Sequence, residues 1–423
     1  KQNLNSNSII MDFISKIKKE LQPDTSVLVE IELFLNEINK EIKNNKINAT
    51  CVKGGSVAKG TFIKGDFDID LFVKFNFKEY KDFELSNLLE PILEKFSPTR
   101  VHGSRDYFQL KQGQFNYEIV PVLDVTNPEN HLNVTDMSPM HVDWVKKNLK
   151  KDQADEIRLA KKFCKTIGVY GAESYISGFS GHVLDILIIH YGSFEKLLIE
   201  SKKWDKKTII DTEKYFKNKM DVMFNLNQSK IQGPLIIIDP ILKTRNAASA
   251  LSFEKFKLFK DKAKDYLKNP SENFFIEVII GKTQLKSKYK KNLSIVNLEA
   301  QVGKRDVIGS KILKAFKYMK SGLKKVGFDI TESGWSWNKS KKVLYWFVTK
   351  SNKLPETRII EGPPLDKTKG CEDFKNKYDN TYVEDERLFT KEKIKSRLLE
   401  ENIKTISNND YFNNKIKLIK IEN

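Results

Sequence analysis

Two aspartates, Asp68 and Asp70, follow the small-residue stretch Gly54-Gly55-Ser56-Val57-Ala58-Lys59-Gly60 by about a dozen positions. Side chains two apart on a strand share a face. In Asp66-Phe67-Asp68-Ile69-Asp70-Leu71-Phe72 the carboxylates of Asp68 and Asp70 therefore point one way, while Phe67, Ile69 and Leu71 point into a core. Two anions held side by side call for a cation, and hard carboxylate oxygens suit Mg²⁺, which bridges carboxylates and substrate phosphates. The turn through Gly55 and Ser56 offers backbone N–H groups and a hydroxyl to the same phosphates. Together they carry the chemistry of nucleotidyl transfer. Asp66 has the parity of the pair but precedes the apolar run, and reads as a solvated residue closing the turn. An Asp-x-Asp triplet alone arises by chance in a chain of this length, so its order and spacing behind the Gly-Ser turn carry the reading.

The same chemistry needs a third acid, because a metal that activates the attacking hydroxyl must also be held from another side. Glu118, in Asn116-Tyr117-Glu118-Ile119-Val120-Pro121, is an acid embedded in an apolar strand. A buried carboxylate without a partner is costly, so such a residue is usually paired or metal-bound. Asp124 is the second candidate.

The elements that must position these groups follow from periodicity. Apolar residues at helical spacing from Met11 to Lys43 (Phe13, Ile14, Ile17, Leu21, then Val27, Val29, Ile31, Leu33, Phe34, Ile38 and Ile42) predict two helices parted at Pro23-Asp24. Short strands are expected at 49–52, 69–75, 106–110 and 115–122, with a helix over 81–96. That pattern predicts an α+β catalytic head over residues 1–135. A helical central domain over 136–256 follows, with the strongest periods at 155–167 and 180–190 and a Gly-, Ser- and Tyr-rich loop at 168–178 between them. Residues 257–423 alternate again: strand 274–280, helix 310–326, strands 328–337, 343–350 and 358–361, then a helix, short strands, a helix and a frayed end over 371–423. The whole is an α+β multidomain chain.

Composition narrows the functional class. At 423 residues, 39% of them hydrophobic, burial is not limiting and several domains are expected. No apolar run reaches membrane-span length and the start lacks a secretory signal, so a soluble, cytoplasmic protein without membrane contact is expected. Cys51, Cys164 and Cys371 are odd in number and far apart, excluding both a disulfide framework and a Cys-x-x-Cys metal site. The five histidines form no helical pair with an intervening Glu, so a zinc hydrolase has no support. The net charge of +18 is uneven. Between Gly281 and Ile330 stand thirteen Lys or Arg against three acids, which points to a polyanionic partner.

With these features on view, the chain strongly resembles the archaeal-type (class I) CCA-adding enzymes, tRNA nucleotidyltransferases of the DNA polymerase β superfamily. The resemblance rests on Gly55-Ser56 with Asp68-Ile69-Asp70, Ser138-Pro139-Met140-His141 before Trp144, and Tyr170-Gly171-Ala172-Glu173 with Gly178-Phe179-Ser180-Gly181. Asp239-Pro240, Arg245-Asn246 and Glu361-Gly362-Pro363-Pro364 extend it over most of the chain. The Arg-Arg-Asp and Glu-Asp-x-x-Arg motifs of class II enzymes are not found.

The resemblance implies a polymerase-β-like nucleotidyltransferase head, a helical central nucleotide-binding domain and an α+β C-terminal RNA-binding body and tail. It implies that Asp68, Asp70 and Glu118 are catalytic and hold two Mg²⁺. Gly55, Ser56, Lys59, Ser138, His141, Lys161 and Tyr170 would bind the nucleotide's triphosphate, and Arg245 would read the incoming base. The implied reaction is template-independent addition of C, C and A to tRNA 3′ ends. Its partners are the tRNA acceptor end, CTP and ATP; a homodimer is left open. Two departures stand out: Glu118 where the family usually has Asp, and Lys59 where Arg is frequent. The longer Glu must retract or shift a metal, and Lys offers a point charge in place of a bidentate fork. The rival readings are a poly(A) or oligoadenylate synthase, an enzyme adding only CC or A, and a catalytically silent RNA-binding relative.

Overall fold

The alternation around Asp68 and Asp70 is realised in a five-stranded sheet of the chain's first unit. The computed structural model describes residues 2–66, 68–277, 280–289 and 291–422, with side chains from residue 12 onward. Phe67, expected to point into the core, lies outside them. Two compact units are formed, Lys1–Val278 and Ile279–Asn423.

In the first unit, helices α1 (Gln2–Leu21) and α2 (Thr25–Asn44) part at Pro23-Asp24 as their spacing predicts. Strand β1 (Ala49–Lys53), the short helix α3 (Gly55–Lys59), β2 (Asp68–Asn76), a helical turn α4 (Phe77–Tyr80) and α5 (Leu85–Leu93) follow. Then come β3 (Thr99–Val101), β4 (Tyr107–Gln112) and β5 (Phe115–Asp124). The sheet order is β1-β2-β5-β4-β3, with β2 and β5 parallel and the other pairs antiparallel. One face carries Ile69, Leu71, Phe108, Leu110, Tyr117 and Ile119, all buried under Ile31, Phe34, Leu35 and Ile38 of α2 and Leu89 of α5. Each such side chain contributes about 1.5–3 kcal/mol by leaving water. Val29 and Leu33, apolar on the same helix, face solvent.

Helices α6 (Ser138–Asn148), α7 (Gln153–Thr166), α8 (Gly181–Tyr191) and α9 (Phe194–Ser201) continue the unit. A parallel pair of short strands, β6 (Thr208–Ile210) and β7 (Leu235–Ile237), flanks α10 (Lys219–Asn225), and α11 (Phe253–Lys268) follows. A second core joins α1, α7, α8, α9 and α11. The division expected after residue 256 falls inside α11, whose Phe256, Phe259, Ala263 and Tyr266 belong to this core. The strand expected at 274–280 is instead a 3₁₀ turn at Glu272–Phe275 followed by irregular chain. Phe275 there packs among Phe163, Phe194 and Tyr266, so the aromatic pair Phe274-Phe275 joins a core rather than a sheet, while Ile276 is exposed. Residues 278 and 279 of that expected strand lie outside the described ones.

The second unit contains α12 (Lys282–Lys288), β8 (Leu293–Ala300), α13 (Arg305–Val326), β9 (Ile330–Trp337), β10 (Lys342–Thr349) and β11 (Thr357–Pro364). Next are α14 (Thr368–Lys377), β12 (Tyr382–Glu384), β13 (Arg387–Lys393), α15 (Leu399–Ser407), α16 (Asp410–Asn413) and β14 (Ile416–Glu422). One sheet has the order β14-β8-β10-β9 and another β11-β13-β12. The end expected to fray is the paired strand β14, held against β8 by Ile416, whose side chain is fully buried. Helix α13 turns Ile312, Ala315, Phe316, Met319 and Leu323 to the core and leaves Lys314, Lys317 and Lys324 exposed. No described helix is long and apolar enough to cross a membrane.

Candidate active site

Opposite its core face, the first sheet gathers acids. In the parallel register Asp68 stands across from Asn116 and Asp70 across from Glu118, so the three carboxylates share the face turned away from Ile69, Leu71, Tyr117 and Ile119. Asn116 donates to Asp68 at 3.2 Å, and Gln109 of β4 donates to Glu118 at 2.8 Å. Asp124 is six residues further along β5, about 20 Å away at strand rise, where it pairs with Lys74 at 2.8 Å. It therefore stands outside this group.

Asp70 lies against the start of α3. Gly55 has φ +48°, and a Cβ built on it would come within 1.8 Å of an Asp70 carboxylate oxygen. Only glycine both tolerates that backbone and leaves the room. The N–H of Gly54 donates to the Asp70 carbonyl at 2.8 Å, so the turn is stitched to the strand it serves. Burial, then the neighbouring Glu118, push the Asp70 carboxyl up to about 6, with Asp68 adding and Lys59 and Lys161 opposing. A carboxyl raised first by burial and then by a neighbouring carboxylate is one that a divalent cation would stabilise in its charged form.

A second group lies beside the first. Lys59, at the end of α3, makes a buried ion pair with Asp185 of α8 at 2.8 Å. Lys161 of α7 donates to the Thr61 hydroxyl at 2.9 Å and its carbonyl at 3.1 Å, and lies 3.8 Å from the other Asp185 oxygen. Burial brings the Lys161 ammonium down to about 8, against the raising effect of Asp185. Tyr170 belongs to the same cluster: a Cβ on Gly181 would lie 3.0 Å from its hydroxyl and 3.7 Å from the Lys161 chain. Burial pushes the Tyr170 phenol well up, so it remains a neutral donor. Asp66, read from sequence as a solvated turn residue, is instead ion-paired with Lys165 at 2.5 Å, because α7 passes beside that turn.

A third group is built on α6. Ser138 opens that helix and His141, one turn on, is buried with Nε2 at 2.9 Å from Asp239. Asp239 also accepts from Arg245 and from the N–H groups of Ile241 and Leu242. The His182 ring centre lies 4.3 Å from that of His141 with the ring planes tilted by 54°, and both its nitrogens are buried without a hydrogen-bond partner among the described residues. Burial, with His141 beside it, holds His182 well below the usual imidazole range, so it is neutral. His141, His182 and Asp239 have ligand atoms within 4.8 Å of one another. Yet Asp239 already has four donors, and the Arg245 guanidinium supplies its counter-charge. A dication would compete with that cation.

The residues singled out in the sequence thus fall into neighbouring groups of one unit. Asp185, Asp239, His182 and Thr61 were not singled out as functional. Asp239 stands in a motif that carried the resemblance and Asp185 four residues beyond one, but Lys59 and His141, which meet them, are 126 and 98 positions away in sequence.

This mixed sheet, with acids on its open face and a glycine turn against them, is that of a nucleotidyltransferase head. Residues 35–125 match the model of the nucleotidyltransferase domain, 155–276 the second domain of tRNA nucleotidyltransferases, and 292–414 the C-terminal domain of the CCA-adding enzyme. The CCA-adding enzyme of Nanoarchaeum equitans is 36% identical over 344 residues, 80% of this chain and 82% of that one. That of Saccharolobus islandicus is 30% identical over 391 residues, 90% and 88% of the two chains. Among solved structures, a cytoplasmic RNA terminal U-transferase superposes with a TM-score of 0.51 at 13% identity, over 64% of this chain and 99% of that one. The Cid1 poly(U) polymerase does so at 0.51 and 12%, over 63% and 98%. These two share the fold. The chain belongs to the family of CCA-adding enzymes, the tRNA nucleotidyltransferases that the curated relatives represent.

Proposed function

We propose that this nucleotidyltransferase adds C, C and A to tRNA 3′ ends from CTP and ATP in the cytoplasm, with Asp68, Asp70 and Glu118 as its catalytic acids. The observation that carries the assignment is the register placing Asp70 beside Glu118, two residues from Asp68, with Gly55 closed against Asp70. These oxygens fit divalent cations, and Mg²⁺ is the ion proposed. Asp68, Asp70 and Glu118 would hold that ion, whose charge would make the tRNA hydroxyl more acidic and offset the charge of the leaving pyrophosphate.

The protein's own groups do the rest. The α3 turn, through Gly55 and Ser56, presents backbone N–H groups and a hydroxyl to the triphosphate. Lys59 and Lys161 face its charge, Tyr170 donates from a neutral phenol, and Ser138 and His141 approach from the first turn of α6. Asp239 accepts from His141 Nε2, which leaves Nδ1 directed elsewhere. Arg245, held on Asp239 with its side chain 40% exposed, presents its remaining N–H groups to the incoming base. In this division of labour, residues 1–135 catalyse, 136–256 together with the packed α11 bind nucleotide, and the remainder to 423 binds tRNA.

Single-turnover extension of a tRNA lacking its terminal CCA tests the acid assignment. Glu118→Ala should be as damaging as Asp68→Ala, Glu118→Asp should stay active, and Asp124→Asn should matter little. Loss of activity in Asp124→Asn with retention in Glu118→Ala would overturn it.

A further inference from the structure

Asp185 has no part in the acid face, yet it is one of the most enclosed carboxylates in the molecule. Its side chain is 1% exposed, and the lysines at its two oxygens, Lys59 and Lys161, are 8% and 4% exposed. One oxygen accepts from Lys59 at 2.8 Å; the other has no hydrogen-bond partner among the described residues and lies 3.8 Å from Lys161. A buried carboxylate left half satisfied is expensive for a purely structural ion pair. Each ammonium has three N–H groups. Among the described residues Lys59 uses one on Asp185 and Lys161 two on Thr61, so both keep capacity for an anion.

We propose that Asp185 is the positioning residue of the triphosphate cradle, holding the Lys59 and Lys161 ammonium groups about one buried carboxylate so that both meet a nucleoside triphosphate charged and aimed. The proposal rests on the assignment of those lysines to the nucleotide. Its chemistry is simple. Two buried cations side by side repel and tend to lose a proton; a carboxylate between them keeps both charged without occupying all their donors. Lys161 is faced by Asp185 from α8, Lys59 from α3, Asp66 from the turn before β2, and Lys165 from its own helix, with Thr61 and the Tyr170 hydroxyl alongside. Of the two acids, Asp66 is already bound to Lys165, leaving Asp185 to act on Lys161.

Steady-state kinetics with the full chain, tRNA and varied CTP or ATP decide the matter. In Asp185→Asn the KM for both nucleotides should rise roughly 10- to 100-fold, the worth of one charge-assisted hydrogen bond, while kcat stays within a few fold and the KM for tRNA is unchanged. An ammonium is lost as pH rises through its pKa, so the alkaline limb of kcat/KM for nucleotide should move to lower pH once the carboxylate is gone. Asp185→Glu, which keeps the charge, should restore most of the nucleotide KM and the limb. It also carries the test if the Asn variant fails to fold, since a Glu variant with normal fold but a nucleotide KM no better than that of Lys59→Met would overturn the proposal. So would an Asn variant that melts lower yet keeps the wild-type nucleotide KM and pH profile. Lys59→Met and Lys161→Met separate the two readings: normal nucleotide KM in both refutes the lysine assignment itself, whereas raised KM in both with normal KM in Asp185→Asn refutes only the role of Asp185.

Discussion

Replacing Asp70 by asparagine should make the metal-free protein more stable at neutral pH while ending catalysis. Asp70 titrates at about 6 in the fold against 3.8 for an ordinary aspartate, chiefly because it is buried and then because Glu118 stands beside it. The folded state therefore holds this proton more tightly than the unfolded chain. Its contribution to stability is present below about pH 4, falls as pH rises through 6, and is gone above. About two pKa units correspond to about 3 kcal/mol, an upper value because the side chain keeps some contact with water. Asparagine has no charge to bury, so Asp70→Asn should match the wild type near pH 4 and exceed it by up to about 3 kcal/mol at pH 7.5. Calorimetry in EDTA across that range reads the difference. Adding Mg²⁺ should then stabilise the wild type more than the variant, since only the wild type offers the full acid set. A variant less stable than the wild type at pH 7.5, or a difference that does not change with pH, would refute the view that these acids are strained without a cation.

Arg245→Ala should weaken discrimination of CTP and ATP against UTP and GTP by about 1–3 kcal/mol, the scale of one good side-chain hydrogen-bond pair to a base. Steady-state efficiencies with all four triphosphates check this, and an equal slowing with each would instead make Arg245 a support for Asp239. Neutralising Lys314, Lys317 and Lys324, which line the exposed side of α13, should reduce the salt dependence of tRNA affinity. Each tRNA phosphate that these lysines no longer neutralise lowers the magnitude of the log–log slope by roughly 0.7 to 0.9. An unchanged slope would return these lysines to ordinary solvated surface.

Much of the head was legible because its signals are local. The period of two at Asp68 and Asp70 and the lone acid in the apolar run around Glu118 both place carboxylates opposite a core. Which of Glu118 and Asp124 stands beside Asp70 shows only in the β2–β5 register, which joins strands some fifty residues apart. Other features were hidden for related reasons. The run Leu293–Ala300 is central strand β8, buried on both faces, but its lysine-rich flanks masked it. Phe274 and Phe275 are apolar because they pack on a helical core, a role that periodicity does not separate from a strand. The last strand, β14, looks like a frayed end until its partner more than a hundred residues earlier is known. Asp185 carries no local signal, since its nearest cation, Lys59, lies 126 positions away, and the contact of Asp239 with His141 spans 98.

The most direct test is nucleotide incorporation into a set of tRNA transcripts ending before the CCA, after its first C, and after its second C. With labelled CTP or ATP, the wild-type protein should extend the first two with C only, stopping at CC, and the third with a single A, each step needing a divalent metal and lost in Asp68→Ala. Runs of A on any of these ends, or C and A incorporated without regard to the end supplied, would contradict the account.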